Sequence, residues 1–370
     1  MAATLLKTTP PTAAQPATNY SSSRTHNHLP TIDLTLDSTN QAFETLSNAA
    51  STTGAALITN LSIKPPIASI QRLFSILYTN PTLASRLNAT YPTRGVFKAA
   101  CLDSSSAPNI DQKTTIDLSV ARLQKLRELD AALVDDLGQD FDNVLQFYTV
   151  VETDIMPLLM QATSRIAASD LAPMHENGNN NLRLIDYFPS AEPTGPRCGE
   201  HRDYGTYTVV FQDGSVGGLE FDVDGKWIQV PANVDAVVSW GWCGAILSND
   251  RVKAAKHRVL RTQPVQKRRT TAVVFVAPDL DATLKPVEGS VKEDHPSIWS
   301  EQIMAGNLSV GEFKQVISKK WRRREGNEEG EVIEGAQDRE VSAFLGFTTW
   351  VLLLLRYPVF TSLGSSESYL

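Results

Sequence analysis

The chain has 370 residues, of which 42% are hydrophobic and 20% charged, a balance that allows a sizeable folded core. The formal net charge of -7 excludes a broad basic surface, so we expect no nucleic-acid partner. The three cysteines, Cys101, Cys198 and Cys243, form no CxxC pair, which argues against a disulfide framework and a structural zinc site and favours the reducing cytoplasm.

The first 28 residues differ in composition from the rest of the chain. Residues 1–28 contain no Asp or Glu and are rich in Ser, Thr, Ala and Pro, and only Lys7 and Arg24 supply strong positive charge. We expect a disordered leader, with an organelle transit peptide as the alternative.

A region that mixes strands and helices follows. The alternating stretch LPTIDLTL (29–36) predicts a half-buried strand, and AALITNL (55–61) predicts a second one. Between them, residues 37–39 offer N-caps for a helix. Pro65 and Pro66 fit the opening turn of a further helix, whose apolar face is structural.

Two long helices are predicted next. Apolar residues at helical spacing indicate one helix from about Leu118 to Leu137 and another from about Val144 to Leu171, after a polar loop at 104–115. Apolar residues at this spacing indicate a packed helix face rather than a catalytic or binding role. Residues 29–175 are therefore interpreted as an N-terminal α/β region with long supporting helices.

From Leu182 onward the sequence pattern changes to short β-type runs. The runs are LRLIDYF, TYTVVFQ, GLEFDV, KWIQV, DAVVSWG, HRVLR and TAVVFVA, and Gly, Asp, Asn or Pro separates them. Close spacing of this kind indicates an antiparallel sandwich or barrel rather than alternating strands and helices. We expect the chemistry in this part of the chain.

Two histidines and one aspartate in the β-type region are candidate metal ligands. His201 and Asp203 are two residues apart at a predicted strand, so their side chains share one face, and His257 begins the later run HRVLR. Two imidazoles and one carboxylate on one octahedral face are the ligand set of non-haem Fe(II) oxygenases. An HxD triplet alone is weak, because it occurs by chance in many proteins.

A carboxylate-binding pair strengthens this interpretation. Arg269 and Thr271 lie two residues apart at the start of a predicted strand, so both side chains point to the same face. A planar guanidinium binds a carboxylate through two hydrogen bonds, and a neighbouring hydroxyl adds a donor.

These motifs together resemble a known family. HRD at 201–203, HRV at 257–259 and RRTTAVVFVAP at 268–278 are similar to the HxD…HRV…RxS/T pattern of the 2-oxoglutarate- and Fe(II)-dependent dioxygenases, in the isopenicillin N synthase-like branch of plant and fungal secondary-metabolite oxygenases. LPTIDLT at 29–35 and LRLIDYFP at 182–189 resemble two further strands of that branch. The resemblance runs from about residue 29 to about residue 320.

The resemblance implies a mainly β fold with flanking helices. Its centre is a double-stranded β-helix core (jelly-roll, cupin-like) at 176–280, preceded by the N-terminal α/β region and followed by a C-terminal helical extension at 281–322. We expect residues 323–370 to form a linker and an apolar tail. For the uncharged stretch 341–355, which is shorter than the roughly 20 residues of a membrane span, a buried element, a tail anchor and a mispredicted exon stay open.

The resemblance also implies roles for single residues. His201, Asp203 and His257 are implied as the catalytic iron ligands, and Arg269 and Thr271 as the residues that hold the distal carboxylate of 2-oxoglutarate. Many relatives have Asn-x-Tyr before the proline at this place, whereas this chain has Asp186, Tyr187 and Phe188. Tyr187 is therefore the candidate for the usual tyrosine contact to the cosubstrate.

The implied function is the oxidation of a small, fairly apolar metabolite by hydroxylation, desaturation or ring rearrangement, in secondary-metabolite biosynthesis. The implied requirements are Fe(II), 2-oxoglutarate as cosubstrate, O₂, and ascorbate as reductant. An oxidase of the same fold that does not use 2-oxoglutarate, and an inactive ligand-binding relative, are the alternatives. We expect a cytoplasmic monomer with a small-molecule substrate.

Several nearby residues are predicted to have no chemical role. Trp240 and Trp242 are expected to pack, with substrate contact as the alternative, and Cys198 is expected to be a bystander rather than a ligand. His175 and His295 lie in polar, helix-breaking stretches, so both are expected to be exposed loop residues.

Overall fold

The computed structural model describes residues 28–33, 40–92, 95–99, 113–188, 197–260 and 268–324. The predicted leader up to residue 27, the N-caps at 37–39 and the apolar tail at 341–355 lie outside these described residues. Within the described part, no helix combines the length and the apolar composition needed to cross a bilayer. The domain boundaries stay predictions.

Most of the described strands lie in the second half of the chain. The described strands are β1 (Thr31–Asp33), β2 (Ala55–Thr59), β3 (Phe97–Lys98), β4 (Thr114–Ser119), β5 (Asn181–Tyr187), β6 (Cys198–His201), β7 (Tyr207–Gln212), β8 (Leu219–Val223), β9 (Lys226–Gln229), β10 (Ala236–Trp240), β11 (Lys256–Val259) and β12 (Arg269–Val276).

Helices dominate the first half and the C-terminal end. The described helices are α1 (Asn40–Thr52), α2 (Ile67–Thr79), α3 (Pro81–Ala89), α4 (Val120–Leu129), α5 (Ala131–Val150), α6 (Met156–Ala167), α7 (Trp242–Leu247), α8 (Glu301–Met304) and α9 (Val310–Arg324). A π-helical turn (Val151–Ile155) joins α5 to α6, and a 3-10 turn (Ala172–His175) follows α6.

Two sheets form the core. The larger has the order β1-β2-β10-β7-β12-β5-β4-β3 and the smaller the order β6-β11-β8-β9. Every pairing is antiparallel except that of β1 with β2. Buried residues of both sheets, such as Val237 and Val273 of the larger and Leu219 and Phe221 of the smaller, pack in one apolar cluster. The predicted jelly-roll core with flanking helices is confirmed.

The long helices pack on the outer face of the larger sheet. Phe147 of α5 meets Phe211 of β7 edge to face, with ring centroids 5.0 Å apart. The indole N–H of Trp240 donates to Thr163 Oγ1 of α6 at 3.1 Å. Trp240 is only 1% exposed. The prediction that Trp240 is a packing residue is therefore confirmed, and the helices hold one face of the sheet so that the other can line a site.

The predicted helix from Leu118 to Leu137 is only partly right. Leu118 belongs to β4, and the helix begins one residue after Ser119, whose side chain accepts from the backbone N–H of Arg122. Asp130 then ends α4 and caps α5 by accepting from the N–H of Leu133. Such N-caps set helix starts that apolar spacing does not reveal.

The second predicted helix, up to Leu171, is also subdivided. Gly138 interrupts α5 with a φ of 65°, which agrees with the predicted end of the first helix at Leu137. The π-helical turn separates α5 from α6, and α6 ends at Ala167, before Ala168 with a φ of 57°. Apolar periodicity continues through these breaks because one face of all segments is buried.

Candidate metal centre

The two sheet strands β6 and β11 bring the predicted metal ligands together. His257 pairs directly with His201 across the antiparallel ladder, so both imidazoles lie on the same face. Their ring centroids are 4.3 Å apart. Asp203 follows two residues after His201, just beyond the end of β6.

The three side chains point their ligand atoms at one place. One ligand atom from each of His201, Asp203 and His257 can be chosen so that all lie within 4.8 Å of one another. His201 Nε2 is 3.6 Å from Asp203 Oδ1, and His257 Nε2 is 3.9 Å from Asp203 Oδ2. Neighbouring ligand atoms about 2.1 Å from one ion lie about 3 Å apart on an octahedral face, so a small inward movement of these side chains would let all three bind one ion.

Backbone carbonyls set the tautomers of both histidines. His201 Nδ1 is 2.9 Å from the carbonyl oxygen of Gly199, and His257 Nδ1 is 3.2 Å from that of Ala255. Because a carbonyl oxygen only accepts, each Nδ1 carries the hydrogen and donates it. In a neutral imidazole with the hydrogen on Nδ1, Nε2 is the nitrogen that can bind a metal, which is the usual arrangement of metal-binding histidines.

Two neighbouring elements fix Asp203. Thr208 of β7 donates its hydroxyl hydrogen to Asp203 Oδ2 at 2.6 Å, and the backbone N–H of Trp242 donates to the Asp203 carbonyl at 2.9 Å. A Cβ at Gly241 would lie 2.5 Å from the carbonyl oxygen of Gly205 and 2.7 Å from that of Asp203. Only glycine therefore allows this close approach of the β10–α7 turn to the ligand loop.

A second polar group lies at the start of β12. Arg269 and Thr271 are 3% and 1% exposed. Arg269 pairs with Tyr187 in the ladder, and its guanidinium carbon is 5.0 Å from the centre of the Tyr187 ring. Arg269 Nη2 donates to Gln212 Oε1 at 3.1 Å. The structure thus brings together all three residues that were predicted to bind the cosubstrate.

Two polar atoms of this group have unused hydrogen-bonding capacity. Among the described residues, none accepts from Arg269 Nε or bonds to Thr271 Oγ1, and both atoms are buried. Leaving a buried donor unpaired costs about 1–3 kcal/mol, so such atoms mark a place where a ligand can bind. Two unpaired donors beside a positive charge fit a carboxylate.

The metal ligands and the arginine group line the same interior. Phe221 packs against the His257 ring with centroids 5.3 Å apart, and Phe221 and Tyr187 belong to the apolar cluster between the two sheets. The candidate metal ligands and the candidate carboxylate site are thus connected by this interior.

Sequence reasoning missed Thr208 and Gln212. The two residues lie on β7 on the same face as Val210, which packs with the cluster between the sheets, whereas Val209 and Phe211 face the helices. The available signal was the pair of polar residues at the two ends of the run TVVFQ, which are four residues apart and therefore on one face of a strand. Their partners could not be named without the strand order.

The structure shows the surroundings of three residues that were predicted to have no chemical role, namely Cys198, His175 and His295. Cys198 accepts from Lys113 Nζ at 3.2 Å and lies 4.0 Å from Nδ1 of His201, away from Nε2, as expected for a bystander. The expectation that His175 and His295 are exposed is wrong, because both are half-buried. His175 bonds to the Leu171 carbonyl at 2.8 Å, and burial lowers its pKa.

Trp242 is 9% exposed and belongs to the same apolar cluster as the buried residues of α9. Its predicted packing role is confirmed.

Comparison with known proteins matches the β-type region to one family. Residues 178–278 match the 2OG-Fe(II) oxygenase superfamily. A 1-aminocyclopropane-1-carboxylate oxidase of Musa acuminata is 41% identical over 113 residues, which cover 30% of this chain and 36% of that protein. The proline hydroxylase buaE of Petromyces alliaceus is 30% identical over 161 residues, which cover 40% of this chain and 50% of that protein. The chain thus matches about a third to a half of the length of these curated relatives.

A solved structure shows the same fold. The dioxygenase for auxin oxidation of rice superposes with a TM-score of 0.56 at 23% identity, covering 80% of this chain and 96% of that one. At this identity the likeness concerns the fold alone. Residues 178–278 therefore contain both the match to the 2OG-Fe(II) oxygenase superfamily and the intact triad of His201, Asp203 and His257.

Proposed function

We propose that the protein is an Fe(II)- and 2-oxoglutarate-dependent dioxygenase that oxidises a small, fairly apolar metabolite. The observation that carries the proposal is the convergence of one carboxylate and two imidazole nitrogens, with both tautomers set so that Nε2 can bind a metal. His201, Asp203 and His257 would hold Fe(II) on one face of its coordination sphere.

The metal and cosubstrate supply the oxidising chemistry. When bound, Fe(II) with 2-oxoglutarate and O₂ oxidises a C–H bond of the substrate, while 2-oxoglutarate is converted to succinate and CO₂. The protein's own contribution is to keep the ligands fixed, to orient the cosubstrate and to keep water out.

Arg269, Thr271 and Tyr187 would orient the cosubstrate. No carboxylate among the described residues forms an ion pair with Arg269, so none of them neutralises its positive charge. A buried cation with an unused donor favours an anionic ligand, and 2-oxoglutarate offers a distal carboxylate. This feature supports use of 2-oxoglutarate over an oxidase of the same fold that needs none.

The lining of the interior supports an apolar substrate. The residues between the sheets that are not part of the polar groups include Ile185, Val210, Val273 and Phe221. Such a lining excludes water and favours ligands with few charges. A relative named as a proline hydroxylase supports hydroxylation of a small metabolite, and a role in secondary metabolism is part of the same proposal.

Turnover with a metabolite panel tests the proposal. The purified protein with Fe(II), ascorbate and 2-oxoglutarate is expected to consume O₂ and to form succinate in step with product. His201→Ala should abolish both, whereas His28→Ala, at an exposed histidine shortly before β1, should change neither. Product without succinate would indicate the 2-oxoglutarate-independent oxidase. Ligand binding without turnover would indicate an inactive relative, and absence of 2-oxoglutarate binding would contradict the proposal.

A further inference from the structure

The buried amide of Gln212 contacts the candidate carboxylate site. Gln212 lies at the end of β7, opposite Thr271 of β12, and is 6% exposed. Its Oε1 accepts from Arg269 Nη2 at 3.1 Å. Gln212 therefore contacts the guanidinium that is proposed to bind 2-oxoglutarate, from a neighbouring strand.

A second hydrogen bond fixes the orientation of this amide. Gln212 Nε2 donates to the carbonyl oxygen of Pro231 at 3.1 Å. Because that carbonyl only accepts, the NH₂ end of the amide must face Pro231, and the oxygen must face Arg269. The direction of the Gln212–Arg269 contact is thus set by the backbone after β9.

Gln212 holds the arginine without cancelling its charge. The guanidinium is contacted by a neutral amide oxygen and by the ring face of Tyr187 at 5.0 Å. Both contacts restrict the guanidinium, and neither carries a full negative charge. The Nε donor stays unpaired among the described residues.

We propose that Gln212 is a positioning residue for the cosubstrate carboxylate. It orients the Arg269 guanidinium and, as a neutral acceptor, leaves the full positive charge for the distal carboxylate of 2-oxoglutarate. The inference rests on the proposed function and adds to it a residue that acts through Arg269.

Two substitutions test Gln212: one gives the hydrogen-bond acceptor a negative charge, and the other removes the acceptor. Gln212→Glu keeps the shape but places a carboxylate 3.1 Å from Arg269 Nη2, which would form an internal ion pair. 2-Oxoglutarate must then compete with it, so the dissociation constant is expected to rise about 10- to 100-fold. Gln212→Met keeps the length but removes the acceptor, and a rise of up to about tenfold is expected.

The matched control is Gln229→Glu. Gln229 is also a strand glutamine, but it lies exposed on β9, so this variant adds the same charge outside the site. Its affinity for 2-oxoglutarate should equal that of the wild type.

The measurement is calorimetric titration of 2-oxoglutarate into the Fe(II)-loaded protein without O₂, with steady-state kinetics beside it. For Gln212→Glu we expect a raised KM for 2-oxoglutarate, a kcat close to wild type at saturating cosubstrate, and an unchanged Fe(II) affinity. A purely structural role would instead lower Fe(II) affinity and thermal stability together. If Gln212→Glu does not fold, the same comparison with Gln212→Met decides.

Wild-type affinity in both variants would overturn the inference and leave the proposed function standing. Failure of the wild type to bind 2-oxoglutarate would overturn the proposed function, and the inference with it.

Discussion

The hydrogen bond from Thr208 to Asp203 gives a direct test of how the chain holds its metal. Thr208→Val keeps the shape and the β-branched side chain but removes the hydroxyl that donates to Asp203 Oδ2 at 2.6 Å. Thr208 is 2% exposed and Asp203 4%, so water has little access to replace the lost donor. The carboxylate then loses both a partner and its fixed orientation.

The expected magnitude follows from the type of bond. A hydrogen bond to a charged group contributes about 1.5–3 kcal/mol, and loss of such outer contacts typically weakens metal binding by about 10- to 100-fold. We therefore expect the Fe(II) dissociation constant of Thr208→Val to rise about 10- to 100-fold.

Competition with a chromophoric chelator under anaerobic conditions measures this constant. Thr59→Val on β2 is the control, because that hydroxyl contacts the Ile32 carbonyl at 3.4 Å and is remote from the metal ligands. An Fe(II) affinity of Thr208→Val within about twofold of the wild type would refute the assigned role of Thr208.

Three further changes have defined outcomes. Gly241→Ala places a Cβ 2.5 Å from the Gly205 carbonyl oxygen, so the melting temperature and Fe(II) content should both fall; a wild-type melting curve would contradict this. Burial raises the pKa of Asp250 from 3.8 to about 6, and the positive charge of Lys253 opposes this rise. Between these two pH values the folded state holds a proton that the unfolded state has released. The free energy of unfolding therefore falls as the pH rises from 3.8 to about 6.

Asp250→Asn should remove this slope in urea titrations and raise the free energy of unfolding at pH 7 by about 1–3 kcal/mol, whereas an unchanged slope would contradict the assignment. Arg269→Leu should bind 2-oxoglutarate at least about 100-fold more weakly in calorimetry while it keeps its Fe(II) affinity; parallel loss of both would mean that Arg269 is structural.

A short-range rule relates two of the three metal ligands, and the third, His257, was assigned through the family resemblance. His201 and Asp203 are related by the two-residue repeat of a strand, and the same rule relates Arg269 to Thr271. The β-type runs around them are short and closely spaced, which indicates antiparallel strands. The direct pairing of His257 with His201 then follows from a strand order that local pattern does not contain.

The helical region shows where local pattern fails. One apolar stripe continued from Leu118 across β4, α4 and α5 because the same face of each element is buried. The breaks are set by side-chain caps at Ser119 and Asp130 and by the positive φ of Gly138. Each of these is a single-residue effect of about 1 kcal/mol, which apolar spacing cannot resolve.

The supporting residues of the site depend on contacts distant in sequence. Thr208 bonds to Asp203 across a turn, but Gln212 reaches Arg269 across 57 positions, and His175 bonds to Thr206 across 31. Polar side chains on a buried strand face show only that partners exist. The partners themselves require the fold.

The central claim is that one centre binds both Fe(II) and 2-oxoglutarate. Anaerobic titration of the Fe(II)-loaded protein with 2-oxoglutarate, followed by visible absorption, tests both at once, because a charge-transfer band requires the cosubstrate to bind the metal directly. We expect a band that saturates at a single cosubstrate per chain and is lost in Asp203→Ala. Absence of the band in the wild type, or its persistence in Asp203→Ala, would contradict a shared centre for Fe(II) and 2-oxoglutarate.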